Sequence, residues 1–156
     1  MRRCFYCGNR AFRQATETVR AHLRASRVHA SAVVPVRQCA KCQESYFSGP
    51  VLHAFELAVA LELANSGVRT GEAFRHMRAA VGHRAADVAR LLGVTPETIS
   101  HWETGKAAVN RAAFVTLGAM VDDEIEGRTT TRDRLDRLAK GRPYPKVLRP
   151  RLSKVG

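Results

Sequence analysis

Between Thr16 and Ala25 apolar and polar positions partly alternate, with Val19, Ala21 and Leu23 on one side and Thr18, Arg20 and His22 on the other. That two-residue period predicts a half-buried strand. "SAVVPV", residues 31–36, reads as a second strand, with Pro35 at an edge or strand end where its missing N–H leaves no ladder bond unmade. From residue 50 the period lengthens. Leu52, Phe55, Val59 and Leu63 recur at spacings of three and four and predict a helix over 50–65, stopped by Asn65 to Gly67. Phe74, Met77 and Val81 stripe a second helix over 71–81, broken by Gly82; Val88, Leu91 and Leu92 stripe a third over 84–92, with Gly93 as its C-terminal glycine. A short fourth helix opens with Thr95 as N-cap, Pro96 at the first position and Glu97 near the positive end of the helix dipole. Its Ile99 and Trp102 turn inward, and Gly105 ends the segment. Phe114, Leu117, Met120 and Val121 predict a fifth helix over 111–126, and "TRDRLDRLAKG" a sixth, capped by Thr131 and ended by Gly141.

Strands first and helices afterwards make the fold class α+β: a small β module over 1–47, an all-α domain over 48–127, and a C-terminal extension over 128–156. The 156 residues suit one domain or two small ones, and 45 % apolar content is enough for a core. The net charge of +12 points to nucleic acid or another anionic surface, and its placement is uneven. Residues 1–47 carry nine Lys/Arg against two Glu, a net of +7. Residues 48–127 stand at −3, and 128–156 at +8. The final "RPYPKVLRPRLSKVG", with three prolines and five basic residues, is expected to be extended or disordered, either solvating the chain or touching phosphates or a minor groove. "MRRCFYCGNRAF" has no apolar run after its arginines, and "AFELAVALELA" is too short for a bilayer and holds Glu56 and Glu62. The expectation is a cytoplasmic chain with no membrane partner and with reduced thiols.

All four cysteines fall in the first 42 residues as "CFYC" and "CAKC": Cys4, Cys7, Cys39 and Cys42. Two C-x2-C pairs supply the four thiolates of a tetrahedral structural zinc site. The 31 residues between the pairs exceed the usual zinc-ribbon spacing and fit a β-excursion that leaves the metal and returns to it. Disulfides are disfavoured by the reducing compartment, and a redox C-x2-C needs one pair in a βαβ unit rather than two. With every position filled by protein, no open site is left for catalysis. One structural Zn2+ is expected, and His22 and His29 are read as surface strand residues.

Helix, glycine-containing turn and short second helix make the helix-turn-helix plan. "DVARLLGVTPETISHWETGK" resembles the Xre/Cro-type family, with its aliphatic-Ala pair, Leu-Gly-Val, polar run, Ile-Ser, Trp-Glu and Gly, over about Phe74 to Leu117. The resemblance implies that the helix beginning at Thr95 is the recognition helix, entering a major groove with its N-terminal part. Glu97 is suited to accept from cytosine N4 and His101 to donate to guanine N7 or O6; Thr98 and Ser100 reach a thymine methyl, a base edge or a phosphate. Lys106 and Arg111 suit backbone phosphates. Arg78 and Glu103 occupy positions that pair in the family and are read as a structural ion pair. Where the family has a Thr/Ser cap and a Gln, this chain has Arg84 and Ala85, so a charge-based contact from Arg84 replaces the glutamine's.

A four-cysteine module joined to this helix-turn-helix, through "VPVRQCAKCQESYF", is similar to the MqsA/YgiT-type proteins, bacterial zinc-finger/helix-turn-helix antitoxins and regulators, over roughly the first 120 residues. The resemblance implies a homodimer on a palindromic operator that represses its own toxin-antitoxin operon, with the zinc domain holding a small toxin. The +7 of the zinc module speaks against a basic toxin and for a free-standing regulator, or for a module that itself touches DNA. A zinc-module RNA-binding protein is the third reading. An enzyme is not expected: no nucleophile–base pair, carboxylate pair or phosphate loop is present, and His22, His29, His53, His76 and His83 lack ligand spacing.

Overall fold

The computed structural model describes residues 3–141, 143 and 146–147. The rest of the tail expected to be extended lies outside these residues. An antiparallel sheet of order β1-β2-β3 comprises β1 (Phe12–Leu23), β2 (Val28–Cys39) and the two-residue β3 (Ser45–Tyr46). Six helices follow: α1 (Gly49–Asn65), α2 (Gly71–Ala80), α3 (Ala85–Leu92), α4 (Pro96–Glu103), α5 (Arg111–Ile125) and α6 (Thr130–Ala139).

The hairpin is longer than the alternation predicts. β1 starts at Phe12 because it pairs with β2 as far as Cys39, and it ends at Leu23 because Arg24 to Arg27 turn the chain, with Arg27 at φ 54°. β3 pairs only with Arg37 and Gln38, so Pro35 sits where β2 has a neighbour on one side alone. The missing N–H is harmless there.

Helix α1 joins two cores. Leu57 and Ala60 pack into the helical core with Phe74, Met77, Ile99 and Leu117. Val59 and Leu63 instead pack with Leu23 of the hairpin and Ala73 of α2. Leu52, expected in the buried stripe, is 39 % exposed, since it precedes the part of α1 covered on both sides. The hairpin turn is fastened too: Ser26 N–H donates to Glu72 Oε2 at 3.0 Å, and the Ser26 and Thr70 hydroxyls lie 2.6 Å apart.

Thr131 does not cap α6. The N-cap is Thr129, whose hydroxyl donates to Asp133, while the Thr131 N–H, inside the first turn, is taken by Asp123 Oδ2 at 2.6 Å. A buried carboxylate from the end of α5 thus supplies the acceptor that the first turn of α6 needs. Leu135 packs against the helical core and Arg90 pairs with Asp136 at 2.8 Å, holding α6 on α3. Among the described residues no helix is long and apolar enough to cross a membrane.

Candidate metal centre and nucleic-acid interface

The two cysteine pairs close two turns of matching hydrogen-bond pattern. In the first, Gly8 N–H donates to Cys4 O and Cys4 N–H to Asn9 O; in the second, Gln43 N–H donates to Cys39 O and Cys39 N–H to Glu44 O. Each turn needs one left-handed residue after its second cysteine, Gly8 at φ 71° and Gln43 at φ 60°. β1 and β2 carry the chain out and back, so the pairs face each other. Sγ of Cys4 and Cys42 are 3.5 Å apart, those of Cys7 and Cys39 3.6 Å, and all four lie within 4.8 Å of one another with no disulfide. A tetrahedral shell with Zn–S near 2.3 Å sets sulfurs roughly 3.8 Å apart, so the site fits such an ion.

The sulfurs are tuned as a group. For Cys39, the N–H of Cys42 and then that of Lys41 outweigh burial and bring the thiol down to about 6. Burial opposes ionisation of Cys4, yet the Tyr46 hydroxyl and the N–H groups of Cys7 and Tyr6 hold it below the ordinary thiol range. The Glu44 N–H draws Cys42 down, but burial and the three neighbouring sulfurs push it up to about 12. Four thiolates at this spacing therefore need a cation among them, which is the chemistry of a closed metal site. Two supporting residues escape a reading of cysteine spacing alone. Tyr46 accepts the Phe5 N–H at 2.9 Å and lies 3.1 Å from Cys4 Sγ, and Asn9 Nδ2 points at Cys39 Sγ from 3.8 Å. The aromatic at position 46, close after Cys42 on the third strand, is the signal that could have marked the first.

In the helical domain, Gly93 at φ 67° ends α3, and Val94 N–H closes back on Ala89 O. Thr95 Oγ1 then caps α4 by accepting the Thr98 N–H at 3.2 Å. Ile99 is fully buried, and Trp102 meets Phe74 edge-on with centroids 5.6 Å apart. Burying that side fixes what the other side presents: Glu97, Ser100, His101 and Thr104 are exposed. Thr98 is half-buried, with its hydroxyl 3.1 Å from that of Thr95, and the Thr104 hydroxyl donates to Ser100 O. Glu97 is held below the usual carboxylate range, first by its own N–H, then by the Thr95 hydroxyl, with His101 adding to both. Lys106 and Arg111 are exposed on the chain after α4, and Arg84 is exposed at the N-cap of α3, where its N–H donates to Asp87. Burial, then Arg132, lowers the pKa of neighbouring His83.

Arg78 grips Glu103 with Nε–Oε1 at 2.5 Å and Nη2–Oε2 at 3.0 Å, and its Nη1 donates to His83 O at 2.7 Å. Their side chains are 15 % and 11 % exposed, so this pair ties α2, α4 and the turn before α3 together. Gly71 lies flat against the last carbonyls of α4, and Asn110 caps α5 by accepting the Ala113 N–H. Neither is legible in the sequence as part of the helix-turn-helix, because the carbonyls that Gly71 approaches belong to Trp102 and Glu103, far along the chain.

Residues 69–121, from just before α2 to most of α5, match the family model described as a helix-turn-helix domain. The central segment is a helix-turn-helix domain. No curated protein and no solved structure matches the chain. The helix-turn-helix domain is a DNA-binding regulator's module rather than an enzyme's, and the same chain carries four clustered cysteines that could hold a metal ion.

Proposed function

We propose that the protein is a sequence-specific transcriptional regulator of the MqsA/YgiT type, an antitoxin-like autorepressor that binds a palindromic operator as a homodimer. The observation that carries the reading is the exposed polar side of α4, held in place by the burial of Ile99 and Trp102 within a helix-turn-helix domain. In this reading residues 1–47 hold one structural Zn2+, residues 48–127 read DNA, and residues 128–156 extend the basic surface. Glu97 and His101 address base edges, and Ser100, Thr98 and Thr95 follow the groove near the helix start. Arg84, Lys106 and Arg111 hold phosphates.

One observation favours a second reading, a regulator with no toxin. The +7 of residues 1–47 disfavours a basic partner on the zinc module. Co-expression with the chromosomal neighbour, followed by native mass spectrometry, separates the two. A zinc-loaded dimer carrying a small second protein supports the antitoxin, whereas a zinc-loaded dimer alone supports the free-standing regulator. Selection of bound duplexes from a random pool tests what both share, and recovery of no preferred sequence refutes it.

A further inference from the structure

The hairpin has one face packed on the protein and one in water. Five cross-strand pairs lie on the water face, running from Gln14–Arg37 through Thr18–Val33 and Arg20–Ser31 to His22–His29. None of these residues is a carboxylate. Of the two glutamates in residues 1–47, Glu17 lies on the packed face and accepts from Ser45 Oγ at 2.8 Å; only Glu44 is exposed, whereas Arg20 and Arg37 lie on the water face itself. The face spans about 26 Å from residue 14 to residue 22. Its metal end is aromatic. The Arg37 guanidinium lies 4.6 Å from the centre of the Phe12 ring, Phe12 meets Tyr46 at 5.7 Å, and Tyr46 meets Phe5 at 6.2 Å. Phe5 and Tyr6, on the short turn between Cys4 and Cys7, are 84 % and 82 % exposed.

Large rings kept in water on a stiff turn, continuous with a cationic face free of carboxylates, form the platform that unpaired bases and their phosphates use. We propose that the zinc hairpin is a second nucleic-acid site, separate from α4, which takes a single strand. Bases stack on Phe5 and Tyr6, and the phosphates follow Arg37 and Arg20 along the outer face. A duplex cannot use the rings in this way, because its bases are already stacked on one another. RNA and unpaired DNA share this chemistry.

The test uses the full-length, zinc-loaded protein and fluorescence anisotropy. The probes are labelled single strands of about twenty uridines or thymidines, long enough to cover such a site, and a mixed-sequence duplex. Phe5→Ala/Tyr6→Ala weakens single-strand binding at least about tenfold and leaves the duplex unaffected. Arg20→Ala/Arg37→Ala, which keeps the rings, lowers the single-strand salt slope by about 1.4, near 0.7 for each phosphate no longer neutralised. His101→Ala leaves single-strand binding intact, so a failure of the operator reading is distinguishable from a failure here. Preference for the uridine or the thymidine strand names the source, and either supports the site. Unchanged single-strand affinity in the Phe5/Tyr6 variant at full zinc occupancy overturns the proposal. So does an equal loss on duplex, or equally effective displacement by poly-glutamate, which assigns the face to an acidic protein.

Discussion

Replacing Gly71 with alanine sets local propensity against packing, and the structure decides the sign. Inside a helix alanine is favoured over glycine by up to about 1 kcal/mol, and Gly71 opens α2 with no positive φ to protect. A Cβ at this position would stand 2.0 Å from Trp102 O and 2.9 Å from Glu103 O. Ordinary contact needs over an ångström more than the first distance, and both obstacles are backbone at the end of α4, so no rotamer change relieves them. Overpacking of this kind costs about 1–3 kcal/mol, and obstruction by backbone sets the expectation at the upper end. For a chain of this size a net loss near 2–3 kcal/mol lowers Tm by roughly 4–12 °C. Thermal unfolding followed by far-UV circular dichroism measures it. The same displacement moves α4, so operator affinity falls even well below the new Tm. A Gly71→Ala protein as stable as the parent, or more so, would refute the reasoning.

If the four cysteines hold a metal ion, its removal by a chelator, or Cys39→Ser, unfolds the hairpin end while the helical core persists. Hydrogen exchange checks this by loss of protection in β1 and β2 with retention in α2 and α5. Glu103→Gln leaves Arg78 without its counter-charge in a largely buried place and costs about 2–4 kcal/mol in urea unfolding. A double-mutant cycle with Arg78→Met then recovers part of that loss. The Thr131 N–H, assisted by the Thr131 hydroxyl and Arg128, holds Asp123 below its usual range. The unfolded chain therefore binds the extra proton first, and stability contributed by Asp123 is complete above about pH 4 and fades as pH falls through its lower folded pKa. Asp123→Asn is expected to weaken α6 protection at neutral pH and to flatten that acid limb; an unchanged acid limb counts against the carboxylate's role. His101→Ala costs roughly 1–3 kcal/mol on a selected operator and little on random duplex, read by competition binding at fixed salt.

What could be read in advance is what neighbours in sequence decide. Cysteine spacing marked the four-cysteine cluster, and Gly93, Thr95, Pro96, Ile99 and Trp102 set the turn and buried side of the helix-turn-helix within ten residues. The misses depend on partners far away. Thr131 looked like a cap because nothing local shows Asp123 reaching its N–H, and Thr129 takes the capping position instead. Leu52 shares the stripe of Phe55 and Val59, but only packing against the sheet and the helical bundle shows where that stripe stops being covered. Ser26 offered no signal at all, since its partners Thr70 and Glu72 lie 44 and 46 residues away.

Because α1 gives Leu57 and Ala60 to one core and Val59 and Leu63 to the other, its length acts as a phase setting. Each residue advances an α-helix by about 100°. One inserted residue between Ala60 and Leu63 would swing Leu63 about 100° away from Val59, its companion in the second core, so that one of the two loses its partners there. Seven residues, close to two whole turns, would restore the angle but lengthen the helix by about 10 Å. The hairpin would then slide past the Thr70 and Glu72 groups that hold its turn. Neither the angle nor the length can be restored without losing the other, so descendants of this chain are expected to vary at Leu52 or in the turns long before they gain or lose a residue in α1.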